Sequence, residues 1–403
     1  MGKIVTSLNE LTIPAGNFIL VLPGWYPTWV NPMPGDFNQR HVLAAALYVP
    51  QVVLYIGKDT ANTIKNITVQ YHQVNENLVE IIVLYPQEKW KTWDVIQSHA
   101  TYVKLLYKYA DLVKRQWGLP SLLHCYIVMR GGLSGWLLSK QWKLPYILTE
   151  NWTIYYPADP GYLQNRNIVF RSLVKKIFYG VARFLPVTQN LDEQVRKLVG
   201  TVSSTVIPNV VDTDLFFYDD PPRPVNSLRF IHVSTMEYQK NPEGLLRSFK
   251  AFLQKRPGSV LIMVGPYPAA VYELAKSLKL TEGPVSFIGS VTYQDVATNL
   301  KASDALVLFS RYENLPCVIL ESLCCGIPVI STAVGGVSEV IDETNGIIIA
   351  SENEEQLQQA FEDMEANYSK YDRKKIAETS VDRFSYSAVG HQINEVYKQL
   401  IKP

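Results

Sequence analysis

Residues Arg311 to Glu339, RYENLPCVILESLCCGIPVISTAVGGVSE, constrain this chain more than any other stretch. They read in order as a loop, a short helix, a turn, a buried strand and a glycine-rich loop. The apolar run from Asp304 to Phe309 is a strand that feeds them. Pro316 fits the first helical turn, where a missing N–H costs nothing, with Asn314 or Leu315 at the cap. Gly326 can end the helix in a left-handed conformation, Pro328 forbids its continuation, and Val329-Ile330 begins the next strand. Strand, helix and strand in close succession suit a parallel sheet, whose ligands gather outside the carboxyl ends of the strands.

The same run carries chemistry. Glu313 lies just before the helix, while Glu321 lies about a turn and a half inside it and points back toward the helix start, as helical side chains do. Between them, the free N–H groups of the first turn and the positive end of the helix dipole make a seat for phosphate. Such a seat between two carboxylates suits a nucleotide sugar. The amides take the pyrophosphate, and the carboxylates accept hydrogen bonds from ribose and hexose hydroxyls. Two glutamates alone are more often scattered acids on a surface helix. Here they come together with the helix start, Gly-x-Pro-Val and Gly-Gly-x-x-Glu.

A chain of 403 residues exceeds one usual core and suits two α/β domains. Its net charge of +1 points away from nucleic acid, so partners must be read locally. The four cysteines, Cys125, Cys317, Cys324 and Cys325, show no metal-ligand spacing and suit a reducing cytoplasm. The N-terminus lacks a continuous apolar signal core and no run reaches membrane-span length, so a cytoplasmic chain, soluble or peripheral on the inner face of a membrane, is expected.

Phe18 to Leu22 is a strand running into PGWYPTWVNPMPGDF, a loop rich in Pro, Gly and Trp that opens onto the crevice or simply packs on Trp25 and Tyr26. Val52 to Ile56 and Ile81 to Leu84 are further strands, and Ser98 to Trp117 is a helix. LLHCYIVMRGGLSGWLLSKQWKLPYILTENW repeats strand, glycine loop, helix and strand, with His124 and Glu150-Asn151 at strand ends. A lone histidine there is more often structural than functional. Phe170, Leu173, Val174, Ile177, Phe178 and Val181 form one helical face, opposite Arg171, Lys175, Lys176 and Arg183. Packing on its own sheet is the simpler reading of that helix, and contact with anionic lipid the alternative. Leu185-Pro186-Val187 is a strand, followed by a helix from about Asp192. Asp212-Thr213-Asp214 has the outline of a metal-binding Asp-x-Asp but reads as a turn. The stretch DDPPRP, 219–224, is a polar linker. Beyond it, Phe230 to Val233 is a strand, and Lys240 precedes a helix starting near Pro242, placed to bring a cation toward Pro316. Val260 to Gly265 and Val285 to Gly289 are strands, and helices run from Glu354 to Asn367 and through Val389 and Tyr397.

The run 311–339, with PGWYP followed by Gly35 and Phe37 and with IPNVVD near 207–212, resembles glycosyltransferase family 4, the retaining group 1 enzymes. The resemblance implies the GT-B fold, two doubly wound Rossmann-like α/β domains facing a central cleft. It implies an acceptor domain over 1–207, rejoined by the last helix at 383–403, and a donor domain over 208–382. The implied activity is transfer of a hexose, with retention, from a UDP- or GDP-sugar to a glycan or lipid-linked acceptor in surface polysaccharide synthesis, lipopolysaccharide among them. Neither metal nor cofactor is implied, and nucleic acid is not a partner. Carried over position by position, Glu313, Lys240 and His124 are catalytic. Glu321, Asn314, Leu315, Pro316, Cys317, Thr235, Val291 and Gly35 bind the donor. The roles are specific. Lys240 and the helix-start amides offset charge on the departing diphosphate, Glu313 holds the transferred sugar, and Glu321 holds the ribose. Transfer assisted by the leaving group on the front face is preferred to a covalent Glu313 intermediate. This sequence departs from the family pattern at Thr235, where arginine is usual, and at Tyr126 and Asn151, where histidine is usual. Arg311 is the candidate replacement for that arginine. These departures keep a nucleotide-sugar binder without transfer activity as the alternative.

Overall fold

The computed structural model describes residues 2–87, 91–219 and 227–401, and its strands form two sheets. The first half contains β1 (Lys3–Val5), β2 (Ile19–Pro23), α1 (Asp36–Ala46), β3 (Gln51–Asp59), β4 (Thr68–Asn75) and β5 (Leu78–Pro86). It continues with α2 (Lys91–Trp117), β6 (Leu122–Tyr126), α3 (Leu133–Trp142), β7 (Tyr146–Glu150), α4 (Ile168–Gly180), β8 (Arg183–Pro186) and α5 (Gln189–Val199). The strands lie in the order β1-β4-β5-β3-β2-β6-β7-β8. All pair in parallel except β4, which runs antiparallel to β1 and β5. Since β3 and β6 flank β2, the order reverses there, and the loop after β2 opens at the switch point.

The second half has β9 (Arg229–Val233), α6 (Pro242–Lys255), β10 (Val260–Val264), α7 (Ala269–Ser277), β11 (Val285–Gly289) and α8 (Tyr293–Lys301). There follow β12 (Ala305–Leu308), α9 (Cys317–Cys324), β13 (Val329–Thr332), β14 (Gly346–Ile349), α10 (Glu354–Ala366), α11 (Arg373–Phe384) and α12 (Tyr386–Leu400). This sheet is wholly parallel, in the order β11-β10-β9-β12-β13-β14. Its switch point lies between β9 and β12, so the loops after these two strands converge.

Central strands β2, β6 and β7 are buried along their whole length, as strands covered by helices on both faces must be. Phe230 of β9 packs edge-on against Phe249 and Phe252 of α6 and Phe361 of α10, an aromatic knot at the centre of the second half. The apolar face of α4 turns inward through Val174, Ile177 and Phe178, as self-packing requires. Its outer side leaves Ile168, Val169 and Tyr179 exposed beside Lys175 and Lys176. Helix α5 starts before Asp192 because Thr188 caps it, its hydroxyl accepting from the Leu191 amide at 3.0 Å. Asp212 accepts from the Asp214 amide and closes a turn. The proline-rich linker, 219–224, lies beyond Asp219 outside the described residues.

The last helix crosses back to the first half. Val389, Ile393, Val396 and Tyr397 of α12 are buried in one cluster with Val42, Ala44 and Ala45 of α1. Gly390 permits that approach, since a Cβ there would stand 2.2 Å from the Ala44 carbonyl oxygen.

Candidate active site

The loop leaving β12 turns into α9 at Pro316, which occupies the N-cap itself with an extended ψ of 123°, so the helix starts one residue later than the sequence predicts. The two residues expected to cap it are drawn toward the first half instead. Asn209 donates its side-chain amide to the Leu315 carbonyl at 2.8 Å. Thr188 and Tyr156 donate to Asn314 Oδ1 at 3.2 and 3.4 Å. At the start of α9 the Cys317 and Val318 amides have no carbonyl inside the helix to donate to, while the Ile319 amide donates to the Pro316 carbonyl at 3.2 Å.

Glu313 is buried just ahead of that helix start. Its carboxylate is ion-paired with Lys240 and accepts from Ser310 Oγ at 2.7 Å and Gln239 Nε2 at 3.3 Å. Lys240 arrives because β9 and β12 are neighbours and the Arg311 amide ties onto the Gln239 carbonyl at 2.8 Å. Gly335, with a φ of +56°, closes from behind, where a Cβ would lie 2.1 Å from the Glu313 carbonyl oxygen.

Glu321, inside α9, is buried and accepts from Tyr293 Oη at 2.6 Å and from Arg40 Nη1 at 2.7 Å. Tyr293 opens α8, two residues beyond Val291, which is half-buried. Arg40 belongs to α1 in the opposite sheet and is also paired with Asp36 at 2.8 Å. Burial disfavours its charge, but Cys317, Glu321, Tyr293 and Asp36 outweigh that and hold its pKa above the ordinary value. Burial pushes the Cys317 thiol up to about 12, with the positive charges of Arg40 and Lys240 opposing. Neither Arg40 nor Tyr293 stands out in the sequence. Their signals were faint: Arg40 is in the first turns after Gly35, and Tyr293 closely follows the loop at Val291.

Gly35 N-caps α1 with a φ of +79°, and a Cβ there would fall 2.4 Å from the Trp25 carbonyl. Trp25 in turn packs edge-on against Trp152, 5.5 Å between centroids. Thr235 is exposed on the loop between β9 and Lys240, and nothing in its neutral side chain replaces an arginine. Nor does Arg311 turn inward. It donates to the Tyr238 carbonyl at 2.5 Å and Asn241 Oδ1 at 2.8 Å, and pairs with Glu352 at 3.0 Å.

His124 is not in the cleft. Its strand runs on to Tyr126, so the histidine lies mid-strand and points into the core, fully buried. Nδ1 is 2.6 Å from the Tyr397 hydroxyl, Nε2 is 2.8 Å from Thr149 Oγ1, and the ring stacks on Tyr126 at 4.3 Å. Burial holds its pKa well below the ordinary value. The polar group at a true strand end is Glu150. It accepts from the amides of Val128, Asn151 and Trp152 and from the Tyr155 hydroxyl at 2.8–2.9 Å, locking the loops after β6 and β7 together. Burial pushes its carboxyl up to about 7, against those hydrogen bonds.

The glycine-rich loop joins the two halves. A Cβ on Gly336 would lie 2.1 Å from the Thr188 side chain, and the Glu339 carboxylate accepts from the Gln189 and Asn190 amides at the start of α5, both at 2.8 Å. Among the described residues no group of His, Cys, Asp and Glu could hold a metal ion, and no helix is long and apolar enough to cross a membrane.

Two parallel α/β halves with a phosphate-seating helix start and paired carboxylates where they meet define the class: this is the GT-B architecture. Solved structures share it. A sucrose-phosphate synthase from Thermosynechococcus elongatus superposes with a TM-score of 0.76 at 18% identity, covering 96% of this chain and 99% of that one. HepE from Anabaena, in complex with UDP, gives 0.71 at 16% identity, covering 97% and 100%. Residues 218–380 match the family described as glycosyl transferases group 1. Among curated relatives, the protein named for teichuronic acid biosynthesis, glycosyltransferase TuaC of Bacillus subtilis, is 25% identical over 68% of this chain and 67% of its own length. The N-acetyl-alpha-D-glucosaminyl L-malate synthase of Bacillus anthracis is 33% identical, but the match spans 28% of this chain and 29% of that protein.

Proposed function

We propose that this protein transfers a hexose, with retention, from a UDP- or GDP-sugar to a glycan or lipid-linked glycan acceptor in surface polysaccharide synthesis. The observation that carries this reading is the pair of half-buried Lys240 and buried Glu313 at the start of α9, with Glu321 inside that helix. The α9 amides and Lys240 stabilise the diphosphate as it leaves, so their attraction grows with the charge developing in the transition state. Glu313 orients the transferred sugar, and Glu321 takes the ribose hydroxyls. No metal takes part, and the acceptor attacks on the face the diphosphate leaves. In this reading 208–382 bind the donor and 1–207, with 383–403, bind the acceptor. Gly35 then meets the donor, Trp25 and Trp152 line the acceptor side, and the exposed Ile168, Val169, Lys175 and Lys176 suit a peripheral station on an anionic membrane.

Incubation with a panel of UDP- and GDP-sugars, with acceptors free or in anionic vesicles, tests it through release of nucleoside diphosphate. Exchange Glu313→Gln should leave nucleotide binding intact and cut turnover by roughly a hundredfold or more; unchanged turnover would sink the assignment. The neutral Thr235 and the buried His124 favour a second reading, a nucleotide-sugar binder without transfer activity. In the same panel it would show tight binding with no nucleotide released.

A further inference from the structure

The charge around the start of α9 does not balance from the second half alone. Lys240 is one cation, paired with Glu313, and Glu321 inside α9 adds a second carboxylate. A diphosphate arriving there would meet a net negative wall. Thr235 is neutral and Arg311 is committed outward to Glu352. The remaining cation at this point, among the described residues, comes from the first half. Arg40 is 7% exposed, spends Nη1 on Glu321 and Nη2 on Asp36, and its Nε is buried with no hydrogen-bond partner. A buried guanidinium N–H without an acceptor is costly, and native proteins seldom leave one so. It is a donor waiting for an oxygen.

We propose that Arg40 binds the diphosphate of the donor across the cleft, giving up Glu321 to the ribose hydroxyls and turning its fork to phosphate oxygens. This rests on the nucleotide-sugar reading of the site. In the ligand-free protein Arg40 stands in for the donor: it neutralises Glu321 and holds α1 against α9 and α8. When the donor enters, the guanidinium moves from carboxylate to phosphate, two partners that its planar fork fits equally well. The first half thereby completes the donor site, and donor binding is coupled to the closure of the two halves. The same exchange explains why the site tolerates a neutral Thr235 beside Lys240.

Titration calorimetry of the full chain with UDP and with GDP, and NMR titration with the matching nucleosides, tests this in native protein, Arg40→Gln and Arg40→Lys. Arg40→Gln is expected to lose roughly tenfold to hundredfold in affinity for the diphosphate. Nucleoside affinity should change by less than about twofold, because the nucleoside lacks the group Arg40 grips. Arg40→Lys keeps the charge without the fork and should lose less; it carries the comparison if the glutamine variant fails to fold. Equal losses for diphosphate and nucleoside would mark Arg40 as structural and overturn the inference, as would an Arg40→Gln protein that binds diphosphate like the native one. Native protein that binds neither nucleotide would remove the reading of the site and this inference with it.

Discussion

At the scale of single residues, position along a strand separates structural from functional polar groups. His124 and Glu150 both stand in apolar strands, but the first sits two residues inside its strand and the second closes its own. The inner residue satisfies both ring nitrogens in the core, and the outer one organises loops. Exchange His124→Phe strands the Tyr397 and Thr149 hydroxyls, each worth about 1–3 kcal/mol. The unfolding midpoint should therefore fall, while donor turnover per folded molecule stays within about twofold of native under the positioning logic of the site. A collapse of turnover in a fully folded variant would restore the histidine to the chemistry. Glu313, Glu321 and Lys240 were legible from the sequence because each falls next to a turn or helix start whose residues announce it. Arg40 was not, because nothing in a linear chain shows that the start of α1 faces α9.

At the scale of elements, the Gly335-Gly336 loop is a spacer more than a ligand cradle. Gly335 lets the chain pass behind Glu313, and Gly336 lets it touch Thr188, while Glu339 caps α5. Gly336 has a φ of −93°, so its backbone tolerates a side chain, and the atoms nearest an added Cβ belong to Thr188. Gly336→Ala is expected to push the halves apart, lowering donor affinity and loosening the Thr188–Asn314 contact. Pairing it with Thr188→Ser, which keeps the hydroxyl that caps α5 and bonds Asn314 but removes the methyl lying nearest the new Cβ, should recover part of the loss. A double-mutant cycle with no coupling would mean the loop acts through something other than this contact; a coupling of about 1–3 kcal/mol is expected for residues this close. The sequence revealed most strands of both sheets, since runs buried on two faces are apolar throughout. It did not reveal β4, whose TVQYHQVN lies toward the sheet edge, half-exposed along its length and without strong alternation. Helices α7, α8 and α11 escaped for a similar reason, each burying only a few side chains.

Across the whole molecule, three fully buried histidines have their charged form disfavoured by burial. Burial lowers His41 and His232 to about 4 and holds His124 well below the ordinary value. Each contributes stability that is present above the unfolded value near 6.5 and lost as pH falls toward its folded value. For His41 and His232 that is on the order of 3 kcal/mol apiece. Glu150 works the other way. Its raised carboxyl, about 7 in the fold, adds stability below the unfolded value near 4.5 and loses it as pH rises through 7, again on the order of 3 kcal/mol. Three histidines outweigh one carboxyl. The calorimetric unfolding temperature should therefore drop as pH is lowered from 6.5 to 4.5, and a flat or rising profile would contradict it. Exchange Glu150→Gln should steepen that drop.

By itself the sequence determined the repeating strand, loop and helix units, the parallel strands at the centre of each sheet, and the short helix that begins near Pro316, because these follow from local periodicity, turn residues and helix-end chemistry. Tertiary structure decided what meets that seat. The strand order set Lys240 beside Glu313, the turn of α1 toward α9 delivered Arg40 to Glu321, and the glycine loop fixed how closely the halves approach. Such pairings join side chains 73 to 281 residues apart in sequence, and the strand order within a sheet and the packing of the two halves choose among them.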